Sequence, residues 1–146
     1  MDAERLRSYA LTLPHVVESM QWGDNLLFWV GHQAIGGKMF ALAHLNAEGK
    51  AILSFAAGPE RFAELVESED VIPAPYMARI HWVALQNWNA LPQAQLFAEI
   101  KNAHTRTYEK LPPKVKAALA LPKTQLNKLV AERKKLLAAK PKSKKK

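Results

Sequence analysis

The chain has 146 residues, of which 49% are hydrophobic and 23% are charged, and its formal net charge is +8. This composition is typical of one globular domain with a core of ordinary size. No stretch approaches the roughly 18 apolar residues of a membrane span, and Met1-Asp2-Ala3-Glu4 does not open a signal peptide, so we expect a cytoplasmic protein. The absence of cysteine excludes disulfides, thiolate zinc sites, iron–sulfur clusters and cysteine nucleophiles.

The positive charge is concentrated in the last third of the chain. Residues 1–100 contain six Lys or Arg and eleven Asp or Glu, whereas residues 101–146 contain fifteen and two. The first part is therefore net acidic by five charges and the second net basic by thirteen. Because segment 140–146 has five lysines and no side chain suited to a core, we predict a disordered tail.

The first half of the chain predicts one helix, a meander and the start of a second helix. Apolar residues recur at helical spacing over 3–13, and Pro14 ends that pattern. Short apolar runs separated by turn residues then predict antiparallel strands at 26–30, 38–45 and 51–56, preceded by a short strand at 16–20. Gly58-Pro59-Glu60 opens the second helix.

The second half is mostly helical. Pro73-Ala74-Pro75 predicts an extended connector, and the aromatic and branched run 79–85 predicts a further strand. Helical periodicity follows in three segments that prolines separate, at 92–110, 114–121 and 124–139. The last of these is a basic amphipathic helix that leads into the Lys-rich tail.

Several short motifs in this order resemble the MmcQ/YjbR family. They are Leu13-Pro14 ahead of Glu18, Gln21-Trp22-Gly23, Gly37-Lys38-Met39-Phe40-Ala41, the connector 73–77, Arg79-Ile80-His81-Trp82, and the helix 92–110 followed by Leu111-Pro112. Together they cover roughly residues 1–120. The resemblance implies a compact α+β domain over 1–120, with an antiparallel β-sheet packed against helices in a secretion-chaperone-like layout. The basic helix 121–139 and the tail 140–146 lie beyond it. The resemblance also implies DNA binding through a paired β-wing.

His81 is the histidine with the most informative surroundings. In a strand over 79–85, alternation places Arg79 and His81 on one face and Ile80 and Trp82 on the other. Two interpretations follow, a half-buried histidine with a structural hydrogen bond or a phosphate contact shared with Arg79. The five histidines show no metal-ligand spacing, so we predict neither a metal site nor a cofactor.

The four tryptophans fall into two groups. Trp29 and Trp82 lie within apolar strands, which favours core packing. Trp22 and Trp88 lie in turn-like contexts, where an exposed indole could stack on a nucleic-acid base.

The familiar catalytic motifs are missing from the sequence. Gly36-Gly37-Lys38 lacks the Walker spacing and precedes a strand, so it predicts a hairpin turn, although Lys38 could still contact a phosphate. No serine lies in a nucleophile elbow. We therefore do not expect an enzyme, and the remaining enzymatic hypothesis is a small-molecule pocket lined by Trp22, His44 and His81.

The basic C-terminal third favours an anionic partner. Lysine and arginine clusters bind polyphosphates through counterion release, largely independently of sequence. We therefore expect a DNA-binding protein, with RNA as a second ligand and no membrane partner, and the alternative is a protein-interaction module with a solubilising tail. The residues predicted to contact nucleic acid are Lys38, Arg79, His81, Lys134, Lys135, Lys140, Lys142, Lys144, Lys145 and Lys146.

Overall fold

The computed structural model describes residues 1–21, 23–45 and 51–139. Trp22 and the tail 140–146, for which the sequence predicts stacking and disorder, lie outside these ranges. The described chain is an α+β domain, as expected, with an antiparallel sheet and helices packed against it.

Six strands form the sheet of the described residues, in the order β1-β2-β3-β4-β6-β5, and every neighbouring pair is antiparallel. The strands are β1 Val16–Gln21, β2 Asn25–Val30, β3 Lys38–His44, β4 Leu53–Ala56, β5 Val71–Pro73 and β6 Trp82–Leu85. The predicted meander is confirmed as β2, β3 and β4, and the short strand before it is β1. β5 lies on the edge of the sheet and was not predicted, and its last residue, Pro73, is the first residue of the predicted connector 73–75.

Five helices complete the described part of the fold. They are α1 Ala3–Ala10, α2 Pro59–Leu65, α3 Gln93–Glu109, α4 Pro113–Leu119 and α5 Lys123–Ala139. Asp2 caps α1, because its carboxylate accepts a hydrogen bond from the Arg5 backbone N–H at 2.9 Å. Pro59 and Pro113 occupy first-turn positions, where the missing N–H costs no helical hydrogen bond.

The core lies between the sheet and α3. Leu96, Ile100 and Ala103 of α3 are fully buried, as are Phe28 and Phe40 of the sheet. An ion pair from Arg61 on α2 to Glu99 on α3 fixes these two helices to each other.

The sequence prediction is wrong at residues 79–81. Ala78–Ile80 form a 3₁₀ turn, and His81 follows with φ 63° and ψ 41°, so the strand begins only at Trp82. The alternation that placed Arg79 and His81 on one strand face therefore does not exist. The chain must reverse direction between β5 and β6, and the Met77 carbonyl accepts from the Ile80 and Trp82 N–H groups to close that reversal.

The register gives the sheet two distinct ends. We call one of them the Lys38 end. It holds the first residue of β3, the last of β4 and the first of β6, because Ala56 pairs with Trp82 and Ala41 with Phe55. The opposite end, called the His44 end, holds the last residues of β3 and β6. α3 begins at the His44 end and finishes at the Lys38 end, where Arg106 reaches Ala56.

Candidate nucleic-acid interface

A cleft opens at the Lys38 end of the sheet, with a volume of about 360 Å³. β3, β4, the turn before β6 and the last turns of α3 form its walls. The polar and charged side chains in its lining are Lys38, His81, Arg106, Thr107 and Lys110. No aspartate or glutamate lines this cleft, although Glu60 and Glu109 are exposed beside it. The lining therefore favours an anion over a cation.

Two of the cations come from the end of α3, Arg106 from its last turn and Lys110 from the residue that caps it. Arg106 and Lys110 are four residues apart, a spacing that places side chains next to each other on a helix. The Arg106 guanidinium donates to the Ala56 carbonyl at 3.4 Å and packs against Gly58, where a Cβ atom would lie 2.6 Å from Nε. Since a guanidinium carries five N–H donors, this single backbone contact orients Arg106 and leaves donors for a ligand.

Lys38 and Lys110 are exposed at the mouth of the cleft. Neither ammonium group forms an ion pair with a carboxylate of residues 1–21, 23–45 or 51–139. Their positive charge is therefore not neutralised locally and is available to a ligand.

His81 contributes mainly through its backbone. Its carbonyl accepts from the N–H groups of Ala57 and Gly58, at 3.0 and 3.2 Å, and so joins the turn before β6 to the chain entering α2. The half-buried imidazole makes an edge-to-face contact with Phe62 at a centroid distance of 5.5 Å. The ring thus packs against the fold and also lines the cleft, and its contact with a phosphate stays a prediction.

The family model named YjbR matches residues 11–106 of the chain. The protein belongs to the YjbR family. A solved structure, Deinococcus radiodurans protein DR2400 with its DUF419 domain, is 26% identical and superposes with a TM-score of 0.70 over 82% of this chain and 88% of that one. A comparison with curated proteins gives no match. The resemblance that the motifs carry is confirmed, for the family and for the fold.

Arg79 lies beside the cleft of this YjbR-family protein but not in its lining. It is exposed on the 3₁₀ turn, and its neighbour Ile80, 62% exposed, forms part of the rim. Both belong to the 74–81 loop, which joins β5 to β6 at the Lys38 end. The side chain of Tyr76 on this loop is fully exposed. Tyr76 is not among the residues predicted from the sequence. The sequence feature that could have indicated it is an aromatic residue next to Pro75 in a turn-rich connector.

Trp88, one of the two residues predicted to stack on a base, is less exposed than Tyr76. Trp88 is half-buried and packs against the core, so only part of its indole faces solvent. Trp82 is 5% exposed, as a core residue should be, and Trp29 is half-buried with its indole N–H donating to Ser19 Oγ at 2.9 Å. Trp22 lies outside the described residues.

α5 carries further cations next to the Lys38 end. Its partly buried Leu126, Leu129 and Val130 pack against the core, and the helix contacts the 3₁₀ turn Gln33–Ile35 just before β3. Lys134 and Lys135 are exposed. Burial lowers the pKa of His32, and the positive charge of nearby Lys134 lowers it further. The remaining predicted contacts, Lys140, Lys142, Lys144, Lys145 and Lys146, lie outside the described residues.

Two of the three residues proposed for a small-molecule pocket, His44 and His81, are not brought together. His44 closes β3 and lies within 2.8 Å of Asn25 Oδ1, whereas His81 lies at the Lys38 end. The length of β3 separates them by roughly 20 Å. The structure therefore does not place these two histidines in one pocket.

The described ranges also hold no group of three or more metal-ligating side chains placed for an ion. None of the helices in those ranges has the length and apolar composition of a membrane span.

Proposed function

We propose that this YjbR-family protein is a non-enzymatic DNA-binding protein that contacts phosphates at the Lys38 end of the sheet and along α5 and the basic tail. The observation that carries the proposal is the convergence of Lys38, Arg106 and Lys110 around one cleft without a carboxylate in its lining. Such contacts read the phosphate backbone, so the binding is largely independent of sequence. RNA offers the same phosphates and is the second ligand. The proposal places this activity in the cytoplasm.

The charge distribution of the body supports this assignment. Although residues 1–100 are net acidic, Glu69 and Asp70 lie at the His44 end, where the Asp70 carbonyl accepts from Gln86 just after β6. The cations of the cleft lie at the other end of the sheet. Because the three cations of the cleft outnumber Glu60 and Glu109 beside it, the Lys38 end can attract a polyanion that the net acidic charge of residues 1–100 would repel.

The 74–81 loop supplies the wing of this proposal. It projects from the β5–β6 pair at the Lys38 end and carries the exposed Arg79 next to the cleft. The loop thus adds the cation of Arg79 to the same surface. The carbonyl of His81 fixes the end of the loop through its hydrogen bonds to Ala57 and Gly58.

Fluorescence anisotropy with a labelled DNA duplex tests the proposal. We expect the full-length chain to bind at low salt, and to lose about 10³–10⁵ in affinity between about 50 and 200 mM salt if six to ten phosphates are contacted. Absence of binding at low salt would overturn the assignment. Replacing Lys134 and Lys135 by Ala should weaken binding to every duplex sequence alike, because phosphates carry no base information.

A protein-interaction module is the second candidate, and one observation favours it. Leu136 and Leu137, near the end of α5, are 62% and 54% exposed. Exposed leucines on a helix can bind an apolar groove of another protein. The variant Leu136→Ser/Leu137→Ser distinguishes the candidates. If the variant keeps the DNA affinity of the parent but loses a protein partner that resists nuclease treatment, the interaction module is favoured. If it keeps both the DNA affinity and the partner, the module is contradicted.

A further inference from the structure

Tyr76 is a large aromatic side chain that contributes nothing visible to the fold. Its relative exposure is 104%, so water reaches the whole side chain. It forms no hydrogen bond, ring stack or cation–π contact with another described residue. An exposed aromatic ring gains none of the burial energy that places such residues in cores and interfaces.

The backbone holds Tyr76 in this position at an energetic cost. Its φ is 66°, in the left-handed region that bulky residues rarely adopt. Hydrogen bonds on both sides maintain the loop, from the Met77 N–H to the Ala74 carbonyl at 3.1 Å and from the Ala74 N–H to the Trp82 carbonyl at 3.0 Å. The loop is therefore built to present Tyr76 outward, and strained, well-supported residues of this kind tend to occur at functional sites.

The side chains around Tyr76 indicate which kind of ligand this surface would bind. Arg79 is exposed three residues away on the same loop, and Ile80 joins the loop to the rim of the cationic cleft. A ligand that fits this surface combines negative charge with a flat apolar face. Nucleic acid has both, but a duplex hides its base faces in the helical stack, whereas a single strand exposes them.

We propose that an unpaired base of single-stranded nucleic acid stacks on Tyr76 while neighbouring phosphates contact Arg79 and the cations of the cleft. This inference rests on the proposed function and adds to it a preference for single strands over duplexes. An aromatic platform beside a positively charged groove is the arrangement by which proteins bind single strands without reading their sequence.

The test compares two substitutions at this one position in the full-length chain. Because base stacking on an aromatic ring is worth about 1–3 kcal/mol, Tyr76→Ala should raise the Kd for a single strand of about 12 nucleotides by about five- to 150-fold. Tyr76→Phe is the matched control and should stay within about threefold of the parent, since stacking needs only the ring. Binding to a duplex of the same sequence should change by less than about twofold, because its base faces are covered.

Each outcome of this experiment supports or overturns either the stacking inference or the proposed function. Since Tyr76 is fully exposed, both variants should melt at the parent temperature, which confirms that they fold. If all three proteins bind single strands equally well, the stacking inference is overturned and the phosphate-binding function stands. Equal losses on single strands and duplexes would also overturn it. If the parent binds neither form at low salt, the proposed function itself fails.

Discussion

Neutralising two cations of the cleft should reduce the salt dependence of DNA binding by a calculable amount. Lys38 and Lys110 are exposed and unpaired among the described residues, so Lys38→Ala/Lys110→Ala should leave the fold intact. Each phosphate contact contributes about 0.9 to the slope of log K against log salt on duplex DNA, so the slope should fall by about 1.8. Raising the salt from about 50 to 200 mM should then cost the variant about 12-fold less affinity than the parent.

The assay is fluorescence anisotropy of a labelled duplex at four or more salt concentrations. Arg5→Ala/Lys101→Ala is the matched control, since it removes the same charge from exposed positions outside the cleft. Arg5 contacts Gln93 at the start of α3, about 25 Å along the helix from Lys110. If both double variants show the same slope, the cleft does not contact phosphate and this reasoning is refuted.

Three further predictions concern stability. Gly37→Ala should destabilise the fold by at least about 2 kcal/mol in urea titrations, because the new Cβ would overlap the Gly31 carbonyl, and an unchanged midpoint would contradict that close approach. Arg61→Ala should cost about 2–4 kcal/mol by leaving the buried Glu99 carboxylate without its partner, and Arg61→Ala/Glu99→Gln should recover part of this loss; equal losses in the two variants would show that the ion pair is not the cause. Burial lowers the pKa of His104 below its ordinary value of 6.5, so its contribution to stability is complete above pH 6.5 and is lost as the pH falls through the lowered pKa. Thermal melts should show a smaller loss of Tm between pH 7 and pH 5 in His104→Gln, and an identical loss would contradict this assignment.

The sequence predicted those parts of the fold that local periodicity and proline placement determine. The helix over 92–110 is observed as Gln93–Glu109, and the helix over 124–139 as Lys123–Ala139. Strand β3 was predicted at 38–45 and is observed as Lys38–His44. In each case the apolar spacing and the flanking prolines or glycines fix the element before tertiary contacts are considered.

The turn at 78–81 could not be predicted from the same signals. Arg79-Ile80-His81-Trp82 alternates polar and apolar residues as a strand does, and only Trp82 belongs to one. What decides the conformation is the reversal between β5 and β6, closed by hydrogen bonds to the Met77 carbonyl. These bonds depend on where β5 pairs, and local alternation contains no information about that pairing.

Local sequence patterns also could not predict which cations meet at the cleft. Lys38 was predicted as a phosphate contact, but Arg106 and Lys110 were not, because they are 68 and 72 positions away along the chain. Their approach depends on α3 crossing the sheet toward Ala56. The uneven charge of the sequence predicts an anionic partner, and that stays a prediction. It did not indicate that Lys38, from the net acidic part of the chain, meets Arg106 and Lys110 at one cleft.

The most direct test of the central claim is an NMR titration of the ¹⁵N-labelled full-length chain with a short DNA strand at low salt. Binding at the Lys38 end predicts that backbone amide shifts change most at Lys38, across the 74–81 loop and over 106–110. Residues around Asp70 and Asn25, at the His44 end, should change little. Shift changes confined to the tail 140–146, or largest at the His44 end, would contradict the claim that the folded body binds nucleic acid through its cleft.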